Sequence, residues 1–265
     1  MSGAGAQSPT LALLRDDPQG WEADLSDDGV LHLQFANPPV NAIKTAMFRQ
    51  LQDAISSVRN DEAVRAIVLT GAHPKVFSAG IDFKELVDGD EGVYATAGDR
   101  RVFVRHALEA WYQAPVPTVV GVRGAAFGAG AVLPCLADLV VGGPGTVFTA
   151  AEIDRGIVGG SRFFARLVGE PLMRKMMLLG LSVGGEELDR AGAFAEYVDD
   201  DAVNATALDL GHRLAEKHPL VMRMMKQAHT EVEYLPVMEG YAVEQKWSVI
   251  VPPEVRESLV PKKKA

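Results

Sequence analysis

The spacing of apolar residues changes several times along this chain, and each change predicts an element. Over Val30 to Phe35, apolar residues alternate with His32 and Gln34, the period of two expected of a half-buried strand, and Asn37-Pro38-Pro39 ends it. From Ile43 the period lengthens. Met47, Leu51, Ile55 and Val58 recur every three or four residues, which predicts a helix with Arg49, Gln52, Asp53 and Arg59 on its outer face. Ala66 to Thr70, closed by Gly71, reads as a strand buried on both faces. Strand, helix and strand in this order predict a right-handed crossover between parallel strands.

Further on, Phe77 to Gly80 ends a strand at a glycine, and a helix can start at Ile81 or Asp82. Asp88 to Arg101 is rich in Gly and Asp and predicts an exposed loop that could cover a site. Val102 to Tyr112 predicts a helix, stopped by Pro115 and Pro117. Val116 to Val122 is a buried strand that runs into RGAAFGAGAVLPCLAD, Arg123 to Asp138. There, Gly124, Gly128 and Gly130 fit a tight bend and a close approach of backbone to a ligand, followed by a helix whose first N–H groups lack intrahelical partners. A turn that serves only packing fits the same residues.

Asp138 to Val141 predicts another short strand, and a helical run to Val168 ends at Gly169, with Pro171 placed for the first turn of the next helix. Beyond it the pattern is helical: Pro171 to Leu179, Glu186 to Ala191, Ala202 to Lys217, Pro219 to Thr230 and Pro236 to Val249. Residues 1–17 have little periodicity and are expected to fray. The predicted organisation is therefore a frayed 1–17, an α/β core over 18–169 and a helical region over 170–265.

Composition narrows the class. The 265 residues are 48% hydrophobic, enough for a substantial core, and the net charge of −9 argues against nucleic-acid binding, which needs a basic face. The one concentrated basic run is Lys262 to Lys264. Cys135 stands alone in an apolar context, so no intramolecular disulfide forms, which suits a reducing cytoplasm. No apolar run reaches membrane-spanning length. The six histidines show no metal-ligand spacing, no Gly-x-Ser-x-Gly elbow occurs, and the central glycines fail the Gly-x-Gly-x-x-Gly spacing of dinucleotide sites. The chain is expected to need no metal.

Glu152 is the carboxylate that draws attention, because Ala150, Ala151, Ile153, Ile157 and Val158 surround it in sequence, and burial raises a carboxylate toward the range of a useful base. From pattern alone, a glutamate that opens a helix or pairs with Arg155 is the simpler reading. Two strand-to-glycine turns, at Gly80 and at Gly124 to Gly130, each offer outward N–H groups; if they converge on one oxygen they form an oxyanion hole.

Four segments carry a resemblance: NPPVNA (Asn37 to Ala42), FSAGIDFKEL (Phe77 to Leu86), Pro115 to Asp138, and Phe148 to Gly160. In order and separation they resemble the signature segments of the crotonase, or enoyl-CoA hydratase/isomerase, superfamily. The likeness extends from about Val30 to Leu259, with Leu181 to Val198 similar to the segment before the family's last helices. The resemblance implies an α/β fold with a ββα spiral core and a helical C-terminal trimerisation region, assembled as a homotrimer or hexamer. It also implies an acyl-CoA thioester substrate, with coenzyme A entering as part of the substrate and no separate cofactor. By the same carry-over, the backbone N–H groups of Ile81 and Ala129 hold the thioester oxygen, and Ala79 and Lys44 contact CoA, where the C-terminal lysines could also reach its phosphates.

One departure bears on the reaction. The family's hydratases use two glutamates; position 132 here is valine, whereas Glu152 matches the second. The 3,2-enoyl-CoA isomerases similarly rely on one glutamate at that second position, which makes double-bond isomerisation the leading expectation. Asp154 could replace the missing acid if the segment is extended, because residues two apart then share a face. Gly160 stands where dienoyl-CoA isomerases have an acid, Ala129 where glycine is usual, and Gly159 where proline is common. Alternatives are hydration with a substitute acid, decarboxylation or carbon–carbon cleavage, and acyl-CoA binding without turnover.

Overall fold

The computed structural model describes residues 8–82, 85, 95–150, 153–156 and 158–260, with the backbone alone at 95–101 and 155. It forms two compact units, Met1–Glu216 and Lys217–Ala265. The sequence reading instead changes character near Gly169, where the helical part of the chain begins.

The first unit is built on two sheets that share the chain alternately. Strands β1 (Trp21–Leu25), β2 (Val30–Phe35), β3 (Ala66–Gly71), β5 (Thr118–Gly121), β7 (Leu139–Gly142) and β10 (Glu196–Tyr197) lie in that order in one sheet. Strands β4 (Val76–Ser78), β6 (Ala125–Phe127), β8 (Val147–Thr149) and β9 (Ser182–Gly184) form the other. After β1 and β2, which both lie in the larger sheet, each of the pairs β3–β4, β5–β6 and β7–β8 lays one strand in the larger sheet and the next in the smaller, and a helix follows. This is the ββα spiral that the resemblance implies. Strands β2, β3, β5, β7 and β10 pair in parallel and β1 joins β2 antiparallel; in the smaller sheet β4, β6 and β8 are parallel and β9 antiparallel.

The pleat of β2 sets the larger sheet's two faces. Leu31, Leu33 and Phe35 point into the main core, where α2 (Thr45–Ser57) contributes Met47, Phe48, Leu51 and Ile55. Val30 joins Val68, Val119 and Val141 on the opposite face, which α7 (Val203–Ala215) covers with Val203, Ala207 and Leu210. A sheet covered on both faces needs near-continuous apolar strands, which is why β3 and β5 are buried at every position.

Several expectations are corrected. Residues 9–15 do not fray: Pro9–Arg15 is helix α1, whose Leu11 and Leu14 are buried. Ser8 caps it, accepting from the Leu11 amide, and Asp61 accepts from the Ser8 hydroxyl at 2.6 Å and the Thr10 amide at 3.2 Å. These polar anchors have no periodic signature. Helix α3 (Ala95–Tyr112) begins within the predicted loop; residues 88–94 lie outside the described residues. Beyond Pro171 the chain is mostly helical, as its pattern predicts, with the short strands β9 and β10 between helices. Gly169 does interrupt helix α5 (Ser161–Leu179), with φ 75° and ψ 162° just before Pro171.

Helix α6 (Gly185–Arg190) follows β9. The second unit consists of α8 (Pro219–Val232), α9 (Val237–Val249) and α10 (Pro253–Leu259). Among the described residues, no helix is long and apolar enough to cross a membrane.

Candidate functional site

Three turns meet at one end of β4. The first is the loop of Asn37 to Ile43, stiffened from within: the Asn37 side chain donates to the Ala42 carbonyl at 2.7 Å, and Asn41 Oδ1 accepts from the Asn37 amide at 3.2 Å. Asn41 is buried with φ 53°, a conformation asparagine tolerates better than most residues, and its Nδ2 donates to the Phe77 carbonyl at 3.1 Å. The loop is thereby fastened to β4. In return the Ser78 hydroxyl donates to the Asn41 carbonyl at 2.8 Å and accepts from the Gly80 amide at 3.2 Å.

The second turn, Ala79 to Asp82, is laced to the same loop. The Ala79 amide donates to Val40 O (3.0 Å), the Ile43 amide to Gly80 O (2.7 Å) and the Asp82 amide to Ile43 O (2.9 Å). Ile81 thus forms a parallel bridge with Ile43 and is not the first residue of a helix. Just beyond, the Thr45 amide and hydroxyl donate to one oxygen of Glu85 at 2.9 and 2.8 Å, which places a carboxylate at the N-terminus of α2. Lys44 is exposed at the position before that helix.

The third turn is Phe127 to Ala129, between β6 and α4 (Ala129–Leu136). Gly80 has φ +81°, and a Cβ built on it would lie 2.6 Å from the Phe127 carbonyl oxygen and 3.6 Å from the Ala129 nitrogen. The second and third turns therefore touch, through a residue that has to be glycine. Gly124 and Gly130 make their close approaches within the protein, as a packing turn would. A Cβ on Gly124 would fall 2.2 Å from the Lys75 carbonyl oxygen, and one on Gly130 2.6 Å from the Ser78 Cβ.

The neighbouring amides are committed. Gly80 donates to Ser78 and Asp82 to Ile43, while Gly128 donates to the Thr149 carbonyl and Ala131 and Val132 to the Gly128 carbonyl. The amides of Ile81 and Ala129 make no such hydrogen bond among the described residues, and both residues are half-buried. Ala129 opens α4, so its N–H also carries the partial positive charge of a helix N-terminus. Such a pair of donors can hold a carbonyl oxygen that is gaining negative charge.

Glu152 lies outside the described residues. Val132 lies within α4, buried and packed in the main core. Ile153–Arg155 is a 3-10 turn and not an extended segment, and the Asp154 carboxylate is exposed beside Gly180. Burial pushes the Cys135 thiol far above its ordinary pKa, which makes it an inert core residue. Among the described residues, no group of three His, Cys, Asp or Glu side chains could hold a metal ion.

Sequence reasoning passed over Asn41 and Ser78 as site-builders. NPPVNA marks a turn, but only the fold shows which strand that turn secures.

Comparison with known proteins agrees with this architecture. The family model described as enoyl-CoA hydratase/isomerase matches residues 26–253. A (7aS)-7a-methyl-1,5-dioxo-2,3,5,6,7,7a-hexahydro-1H-indene-carboxyl-CoA hydrolase of Rhodococcus jostii is 31% identical over 226 residues, covering 85% of this chain and 86% of the relative. The 2,3-dehydroadipyl-CoA hydratase of Escherichia coli is 31% identical over 220 residues, 82% of this chain and 84% of that one. The crystal structure of an enoyl-CoA hydratase from Mycobacterium smegmatis shares the fold, with a TM-score of 0.83 over 92% of this chain and 95% of that one at 23% identity.

Proposed function

The chain belongs to the enoyl-CoA hydratase/isomerase family, and on that premise we propose that it moves a double bond within an acyl-CoA thioester, using Glu152 as its single base. The Ile81 and Ala129 amides hold the thioester oxygen. Glu152 removes a proton from the carbon between the thioester and the double bond, charge spreads onto the oxygen as a dienolate, and the same carboxyl, whose proton exchanges with solvent, delivers a proton at the far end. Each oxyanion donor lowers the barrier by about 3 kcal/mol. Ala79 and Lys44 contact the CoA portion, Lys44 as an exposed cation near the bridge of Ile43 with Ile81.

The observation that carries this reading is Val132. Hydration by two acids needs a carboxyl on α4 to activate water, and that position holds a buried aliphatic side chain. Asp154 lies in an exposed 3-10 turn and not on the extended segment that its substitution for the missing acid assumed. Assay of 3-hexenoyl-CoA beside crotonyl-CoA tests the reading: 3-hexenoyl-CoA should be converted to its 2-enoyl isomer, and rapid hydration of crotonyl-CoA would contradict it.

A second reading is favoured by the Rhodococcus relative, whose name is that of a CoA hydrolase acting on a dioxo bicyclic thioester. An enolate held by the same two amides is also the leaving group when water cleaves a carbon–carbon bond beside an oxo group. Mass analysis of a thioester panel separates the two, since isomerisation conserves mass and hydrolysis adds one water.

The second unit supports a further proposal, assembly as a homotrimer or hexamer. Val237, Met238 and Val249 are 85%, 72% and 74% exposed there, apolar side chains that contact with further copies of the chain would cover.

A further inference from the structure

We propose that Arg166 and Trp111 are positioning residues for the Ala129 amide, acting from the far end of α4. The inference rests on the reading of that amide as a donor to the thioester oxygen. Helix α4 has 8 residues, too few to be stable by itself, and carries Pro134 in its interior. Proline has no N–H, so the Gly130 carbonyl loses its usual helical donor. The Ala137 amide turns back to the Pro134 carbonyl at 3.1 Å, which leaves the Leu133 carbonyl without its own.

Side chains from the two flanking helices donate to carbonyls of the last turn of α4 and just beyond it. The Trp111 indole N–H, fully buried on α3, donates to the Leu133 carbonyl at 3.0 Å. On α5, Arg166 Nη1 donates to the carbonyls of Cys135 and Ala137, both at 2.8 Å, with its guanidinium carbon 5.6 Å from the centre of the Tyr112 ring. A cation is thus fixed at the negative end of the helix whose positive end carries Ala129. At that other end, Gly130 lies so close to Ser78 that a Cβ would come within 2.6 Å of the serine Cβ.

Helix α4 is therefore braced at both ends, by Ser78 near its start and by Trp111 and Arg166 at its finish. Loosening the finish lets the helix slide or fray and carries the Ala129 N–H away from the oxygen it must meet. Misplacement on the scale of 1 Å is enough to cost a large factor in rate.

The test uses Arg166→Gln, Arg166→Lys and Trp111→Phe in the full chain. In unliganded, isotope-labelled protein, Arg166→Gln and Trp111→Phe should each displace the Ala129 amide resonance, with Arg166→Lys intermediate. On a thioester that the wild type turns over, Arg166→Gln should lower kcat about tenfold with KM within about twofold, and reduce the low-frequency shift of the bound thioester carbonyl in difference Raman spectra. Arg166→Lys, which keeps the charge, should recover part of both. An unmoved Ala129 resonance in folded Arg166→Gln and Trp111→Phe would overturn the proposal. So would a kcat loss that only tracks the folded fraction measured by circular dichroism, with the carbonyl frequency unchanged. If the wild type itself leaves the carbonyl unpolarised, the reading of Ala129 as donor fails, while the ligand-free resonance still decides whether the brace exists.

Discussion

Gly80 lies against the Phe127 carbonyl so closely that a methyl group in place of its α-hydrogen would sit 2.6 Å from that oxygen. This contact joins the turn that carries Ile81 to the turn that carries Ala129. Gly80→Ala adds a clash with backbone to a φ of +81°, which alone costs about 1–2 kcal/mol for a residue with a Cβ. We expect kcat/KM to fall about 100-fold or more, with a measurable drop in Tm. Steady-state kinetics and calorimetry check it, and a variant of wild-type activity would mean that the two turns need not touch.

Val132→Glu places a carboxyl on α4 where the proposed chemistry lacks one. Because the site is buried in the core, the acid should have a raised pKa and the protein a lower Tm. Hydration of crotonyl-CoA, absent or slow in the parent, should appear or rise. Hydration already fast in the parent would show that Val132 is no obstacle to that reaction.

The anchor of α1 should be acid-sensitive. Burial works to raise the Asp61 pKa, but hydrogen bonds from the Ser8 and Thr10 hydroxyls and from the amides of Thr10 and Ala63 outweigh it and hold the carboxyl below its ordinary value. A group depressed in the folded state stabilises it fully above its unfolded pKa, about 3.9, and that stabilisation is lost as pH falls through the lower folded value. Asp61→Asn should be less stable than the parent at pH 7, and the difference should shrink below about pH 4. Denaturant melts at both pH values measure this, and a difference that does not change with pH would contradict it.

Much of the larger sheet is legible in the residues, because β2 alternates from Leu31 to Phe35 and β3 is apolar enough to require cover on both faces. The smaller sheet is not. Its strands β4, β6, β8 and β9 have three residues each, too few for a period to show. The site was readable in its parts and not in its joints. Gly80, Gly124 and Gly130 each announce a turn or close approach, but nothing local tells that their partners are Phe127, Lys75 and Ser78. Asp154 lies in a 3-10 turn of three residues, too short to leave a period that would distinguish it from an extended segment. Arg166 gave no signal at all, since an arginine at a helix surface has the same pattern whether it meets solvent or, as here, the carbonyls of Cys135 and Ala137.

The central claim is that one carboxylate, Glu152, moves a proton on a thioester whose oxygen is held by the Ile81 and Ala129 amides. The most direct measurement is exchange of the C2 protons of 3-hexenoyl-CoA in deuterated water, followed by mass spectrometry, in wild type and Glu152→Gln. The account predicts exchange together with isomerisation in the wild type, and a loss of both by about 100-fold or more in a variant that stays folded. Exchange at the wild-type rate in Glu152→Gln would contradict it.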